Sequence, residues 1–189
     1  MVCGGMRGYP AEMPRFAQVG VSGGAADLIA ATPSAKGIKL RGKPETDLES
    51  GSGATISRQK VNIGGTTRLS YFVHPPYKSA KGYAYWETTA DIDEDTVLDF
   101  SIGMGPKSPE KSDGVWFSIH VAYPPDAAPP RYVKLFEKST KAHAWQCHSI
   151  PLGSYIGNRV RLKFVADCGP ANNTTADHAY WGDVELRAG

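Results

Sequence analysis

The 189-residue sequence predicts an all-β fold, a jelly-roll sandwich of two antiparallel sheets. Three observations carry that expectation. The clear apolar segments alternate with period two, so each presents one apolar and one polar face. The 21 glycines and 14 prolines fall at short intervals and leave only residues 83–102 and 131–150 as long stretches free of both. Eight to ten strand candidates follow one another at the spacing of a sandwich.

Taken in order, residues 28–31, 37–40 and 61–63 are short apolar candidates, and residues 68–73 begin the clear alternation. In 83–102, Tyr83 and Tyr85 alternate with Ala84 and Trp86. The acidic run of Asp91, Asp93, Glu94 and Asp95 breaks the pattern as a solvated turn, and Val97 and Asp99 then alternate with Leu98, Phe100 and Ile102. Residues 114–121 place Val115, Phe117, Ile119 and Val121 on one face and Trp116, Ser118 and His120 on the other. The proline-rich residues 123–130 read as a rigid exposed loop, and 131–150 divides at Lys138 to Lys141. Residues 158–166 set Val160, Leu162 and Phe164 against Arg159, Arg161 and Lys163, and 178–186 form the last strand. One domain is expected over 25–189, with 1–24 as a poorly ordered extension or linker.

Nineteen acidic and 21 basic residues leave a formal charge of +2 without a basic run, which disfavours a nucleic-acid binder. No window approaches the roughly 18 unbroken apolar residues of a membrane helix, and the first residues carry no apolar stretch of a secretory leader. If 144–150 and 159–167 form a hairpin around Ser154, Cys147 and Cys168 lie about 20 Å apart along the ladder. A disulfide needs Cα atoms within about 7 Å, so free thiols are expected, with Cys3 in the N-terminal extension.

The usual catalytic spacings, G-x-S-x-G, H-E-x-x-H, C-x-x-C and the phosphate loops, are absent from the sequence. Glu87, Glu137 and Glu185 remain candidates for the flanking carboxylates of a glycosidase, because such a pair is assembled in space. His143 and His148, five apart, face opposite sides of a strand and make poor co-ligands. A catalytic sandwich, either lyase or glycosidase, and a structural or protein-binding accessory domain are therefore alternatives to a binding module. Aromatic residues make up 10% of the chain and sit mostly on strands or at strand ends. Sugars stack one apolar face on such rings while polar neighbours take the hydroxyls.

The closing stretch is the most informative. Asp177-His178-Ala179-Tyr180-Trp181-Gly182-Asp183, preceded by a loop that Asp167 introduces, resembles the end of the NPCBM domains, the group that includes carbohydrate-binding module family 51. Residues 112–119 and 154–162 resemble that group's central strand and the turn and strand before the closing motif. The loop of Cys168, Gly169, Pro170, Ala171, Asn172, Asn173 and Thr174 departs from the family's Gly- and Asp-rich pattern. The resemblance implies a galactose-binding-domain-like sandwich that binds a polysaccharide or glycan without catalysis, outside the cell or in the periplasm, fused to or associated with a glycoside hydrolase. Asp177, His178, Tyr180, Trp181, Trp145, Trp86 and Tyr155 are the candidate sugar-binding residues. Asp167, Asp177 and Asp183 are the candidate ligands of a structural calcium ion. Asp177 and His178 read either as a clamp on vicinal hydroxyls or as a structural knot that caps the loop's own amides. Of Tyr180 and Trp181, one must face the core, and Gly182 suggests a bulge.

Overall fold

The computed structural model describes residues 25–189 except Ser79 and Glu94; the expected extension over 1–24, with Cys3, lies outside the described residues. Twelve strands are present: β1 (Ala26–Asp27), β2 (Ala35–Leu40), β3 (Glu45–Asp47), β4 (Thr55–Ile63), β5 (Thr66–His74), β6 (Gly82–Ile92), β7 (Thr96–Met104), β8 (Val115–Ala122), β9 (Tyr132–Thr140), β10 (Gln146–Pro151), β11 (Asn158–Asp167) and β12 (Ala179–Ala188). The one α-helix among the described residues is a single turn, Ser108–Lys111.

Two antiparallel sheets result. Sheet one runs β10-β7-β12-β5-β4, and sheet two runs β3-β2-β6-β11-β8-β9. In sheet one, β12 pairs with β5 over Ala179 to Gly182 and with β1 at Glu185 and Leu186, so two strands share one edge of β12. The handover falls at a register irregularity between Gly182 and Glu185, with Asp183 at a positive φ of 44°, the bulge expected from Gly182. β4 and β5 close through Gly64 and Gly65, both at positive φ, as a tight two-residue hairpin requires.

The period-two faces meet between the sheets. From β8, Val115, Phe117, Ile119 and Val121 are buried, and from β11, Val160, Leu162 and Phe164 join them. The centre is aromatic: Trp86 stacks on Phe164 at 4.1 Å and 8°, while Trp181 meets Phe117 and Phe164 edge-on at 5.2 and 5.4 Å. Trp86 and Trp181 are therefore core residues and not sugar platforms. This corrects the expectation for both, because each indole is fully buried between the sheets and offers no face to a ligand.

Three further expectations change. Residues 28–31 form a turn and not a strand: the Asp27 carboxylate accepts the Ile29 and Ala30 amides at 2.8 and 3.0 Å and folds Leu28 and Ile29 into the core. The expected hairpin of 144–150 with 159–167 does not form, since β10 pairs with β7 in one sheet and β11 with β6 and β8 in the other. Cys147 and Cys168 are nonetheless free thiols, one exposed and one buried. The division of 131–150 comes a few residues late, because β9 continues to Thr140.

Candidate functional site

The site is read off the outer face of sheet two, where the residues that alternate with the core of β11 line up with their neighbours. Lys163 lies between Glu87 of β6 and His120 of β8; Val165 lies between Tyr85 and Ser118; Asp167 lies between Tyr83 and Trp116. β9 extends the first two rows with Lys134 and Glu137, and β2 and β3 extend the third with Lys39 and Glu45. The rows enclose a groove of about 640 Å³, within the range of small-ligand sites.

Lys163 is the hub. Its side chain is 3% exposed, its Nζ is 2.6 Å from Glu45 Oε1 and 3.7 Å from Glu87 Oε1, and it faces the Tyr85, Tyr132 and Tyr83 rings at 3.8, 4.8 and 5.8 Å. A buried ammonium is tolerated because carboxylates and ring faces replace its water. Tyr132 donates to Glu87 at 2.5 Å, which lays the β9 phenol over the sheet towards β6. The Tyr83 hydroxyl donates to Glu45. Burial, reinforced by Glu45 and Glu87, pushes all three phenols well above their ordinary range, so they stay protonated. Burial alone would raise the Glu45 carboxyl, but its bonds to Lys163 and Tyr83 outweigh that and hold it below the usual value.

His120 shares a 2.9 Å hydrogen bond with Ser118, and burial, aided by Lys163 and Lys134, lowers its pKa. The imidazole is thus a neutral donor and acceptor at pH 7. At the open end, Arg41 grips Asp167 through two bonds of 3.0 and 2.5 Å and also reaches the Gly169 carbonyl and Asn172. Trp116 stands beside this clamp with 38% of its surface exposed. A Cβ on Gly169, which has a φ of +74°, would fall 2.9 Å from the indole, so the loop and the ring fit only with glycine there.

Of the residues expected to bind sugar, His178, Tyr180 and Trp145 share sheet one, and the others lie apart from them. Tyr180 is buried on the outer face of sheet one, 5.2 Å from Phe72. His178 packs on the same patch, 5.6 Å from His74, and burial lowers its pKa. Trp145, also on sheet one, donates its indole N–H to the Thr66 carbonyl at 2.9 Å and lies against Gly103 and Gly182. Tyr155 is half-buried in the 3-10 turn Gly153–Tyr155 and packs on the core. Asp177 is fully buried and accepts the Ser112 hydroxyl at 2.6 Å. That bond ties the start of β12 to the segment before β8, and it is not made to the loop's own amides. Burial pushes the Asp177 carboxyl up to about 7.

The proposed calcium ligands diverge as well. Asp167 is bound by Arg41, Asp183 pairs with Arg68, and Asp177 is buried against Ser112. No group of three or more His, Cys, Asp or Glu side chains placed to hold a metal occurs among the described residues, so Asp167, Asp177 and Asp183 are not gathered around one point. Sequence reasoning missed the groove, although it had placed Trp116, Ser118 and His120 on one polar face and Arg161 and Lys163 on another. What it lacked was the pairing of β8 with β11 and of β11 with β6.

No protein-family profile matches the sequence. A protein of Archaeoglobus fulgidus described as uncharacterized is 27% identical over 99 residues, a stretch of 50% of this chain and 25% of that protein, so the match spans about a quarter of the relative's length. Among solved structures, CBM51 from Clostridium perfringens GH95, in complex with methyl-galactose, superposes with a TM-score of 0.56 at 13% identity, over 86% of this chain and 99% of that one. The fold is that of the CBM51 modules. A cleaved adhesin domain of Lys-gingipain from Porphyromonas gingivalis shares it as well, with a TM-score of 0.55 at 12% identity over 87% and 97% of the two chains. At such identities the likeness to CBM51 establishes the architecture, and the chemistry must be argued from the groove.

Proposed function

We propose that this chain is a non-catalytic glycan-binding module whose ligand lies in the sheet-two groove. The observation that carries the reading is the exposed Trp116 indole at the mouth of a groove floored by fixed phenols and paired polar groups. A sugar ring stacks its apolar face on Trp116 or Tyr132, while Ser118, His120 and the clamped carboxylates of Glu45 and Asp167 take its hydroxyls. Because the groove is fixed by its own hydrogen bonds, little ordering accompanies binding. It is also shallow, so affinity is weak.

Catalysis has little support in the carboxylates. Glu185 belongs to sheet one, Glu87 is bridged to Arg161 and Lys163, and Glu137 is held by Lys134. Among the described residues no helix is long and apolar enough to cross a membrane. Attachment to a secreted glycoside hydrolase is the context that suits such a module; the tandem CBM51 modules of Sp3GH98 belong to a family 98 glycoside hydrolase from Streptococcus pneumoniae. The test is calorimetric titration of polysaccharides into the wild type and Trp116→Ala. Loss of about five- to 150-fold in affinity with an unchanged melting temperature is expected, in line with about 1–3 kcal/mol for a stacking residue. Equal affinity of the two proteins would refute the assignment.

A further inference from the structure

The charges lining the groove cancel pair by pair. Its three cationic side chains are Arg41, Lys134 and Lys163, and its three carboxylates are Asp167, Glu137 and Glu45. Arg41 meets Asp167 at 2.5 Å, Lys134 meets Glu137 at 2.5 Å and Lys163 meets Glu45 at 2.6 Å. Each lysine and arginine that lines the groove has a carboxylate within 2.6 Å, while Lys39, exposed at the outer end of the third row, lies beyond the lining. His120, the remaining basic group, is already hydrogen-bonded to Ser118.

We infer that these three carboxylates set the specificity of the groove, admitting uncharged glycans and turning away chains that carry uronate, sialate or sulfate groups. The inference rests on the groove being the glycan site proposed above. An acidic sugar gains affinity only from a free cation, and here it would have to break an existing pair and place its charge beside the displaced carboxylate. A sugar hydroxyl meets no such conflict. A carboxylate held by one cation keeps lone pairs for further donors, and a clamped guanidinium or ammonium keeps N–H groups for acceptors. The same side chains that repel an anion thus remain good partners for hydroxyls.

Glu137 is the place to test this, because the Lys134–Glu137 pair is exposed on β9 and lies outside the buried Lys163 cage. Galactomannan and β-glucan serve as uncharged probes and polygalacturonate and alginate as acidic ones, titrated into the wild type, Glu137→Gln and Glu137→Lys. The wild type is expected to bind an uncharged polymer and neither acidic one. Glu137→Gln releases Lys134 and should gain affinity for the acidic polymers, on the order of two- to fivefold over the wild type at low salt. Glu137→Lys should gain more. Both gains should vanish in about 1 M salt, where the Debye length is about 3 Å. If the wild type binds acidic and uncharged polymers alike, or if neither variant gains, the carboxylates do not set specificity although the groove still binds glycan. If no polymer binds to any of the three proteins, the glycan reading falls and the inference with it.

Discussion

Replacing Asp177 with asparagine removes a titrating carboxyl from a fully buried position while keeping its size and an oxygen for the Ser112 hydroxyl. Burial, with help from the nearby Asp113 and Asp167 charges, raises this carboxyl from its ordinary 3.8 to about 7, against the lowering effects of Ser112 and Lys81. A raised carboxyl holds its proton more tightly in the folded chain than in the unfolded one. Its contribution to stability is therefore full below pH 3.8, falls as pH climbs from 3.8 to about 7, and is flat above. At about 1.4 kcal/mol per pH unit, the wild type loses about 4 kcal/mol across that window, and Asp177→Asn loses none of it. Urea unfolding of both proteins between pH 4 and pH 8 isolates the effect, because the histidines titrate alike in each and cancel in the difference. The variant should match the wild type or fall slightly below it near pH 4. At pH 8 it should be about 3–4 kcal/mol more stable, equivalent to a melting temperature about 10 °C higher. A stability difference that stays constant across this range would refute the buried, proton-bearing Asp177.

Lys163→Met should destabilise the fold by about 3–5 kcal/mol, because it leaves Glu45 and the buried Glu87 without their shared cation, and adding Glu87→Gln should recover part of the loss. Chemical denaturation of the single and double variants checks both steps. Gly169→Ala forces a side chain onto the Trp116 indole from a left-handed backbone position; a stability loss of more than about 1 kcal/mol is expected together with weaker glycan binding, read by melting temperature and calorimetry.

Strand faces were legible in the sequence because each is a local property. Val115, Phe117, Ile119 and Val121 had to point one way, and so did Val160, Leu162 and Phe164, since the pleat alternates whatever strand lies beside it. The alternation of Tyr83 and Tyr85 with Ala84 and Trp86 was visible too, but which pair faces inward depends on the opposite sheet. There the stacked Trp86 and Phe164 take the core, and the tyrosines go to Lys163. The groove itself is non-local. Glu45, Glu87, His120, Tyr132 and Lys163 come from five strands, and no period or motif links them. The closing motif gave the right architecture, but its residues do not line the groove. Its Trp181 fills the core, its Asp177 joins Ser112, and its Tyr180 and His178 lie on the other sheet. Conversely, the apolar residues 28–31 imitated a strand because the Asp27 side chain that turns the chain there leaves no mark on the apolar pattern.

The two sheet faces carry separate candidate aromatics, with Trp116 and Tyr132 on sheet two and Trp145, Tyr180 and His178 on sheet one. Amide and indole chemical-shift mapping of the labelled protein during titration with a glycan that it binds tests the central claim most directly. Shifts concentrated on β6, β8, β9 and β11, led by the Trp116 indole, are the result expected from a sheet-two groove. Shifts confined to β5, β10 and β12, led by the Trp145 indole with Trp116 unmoved, would contradict it.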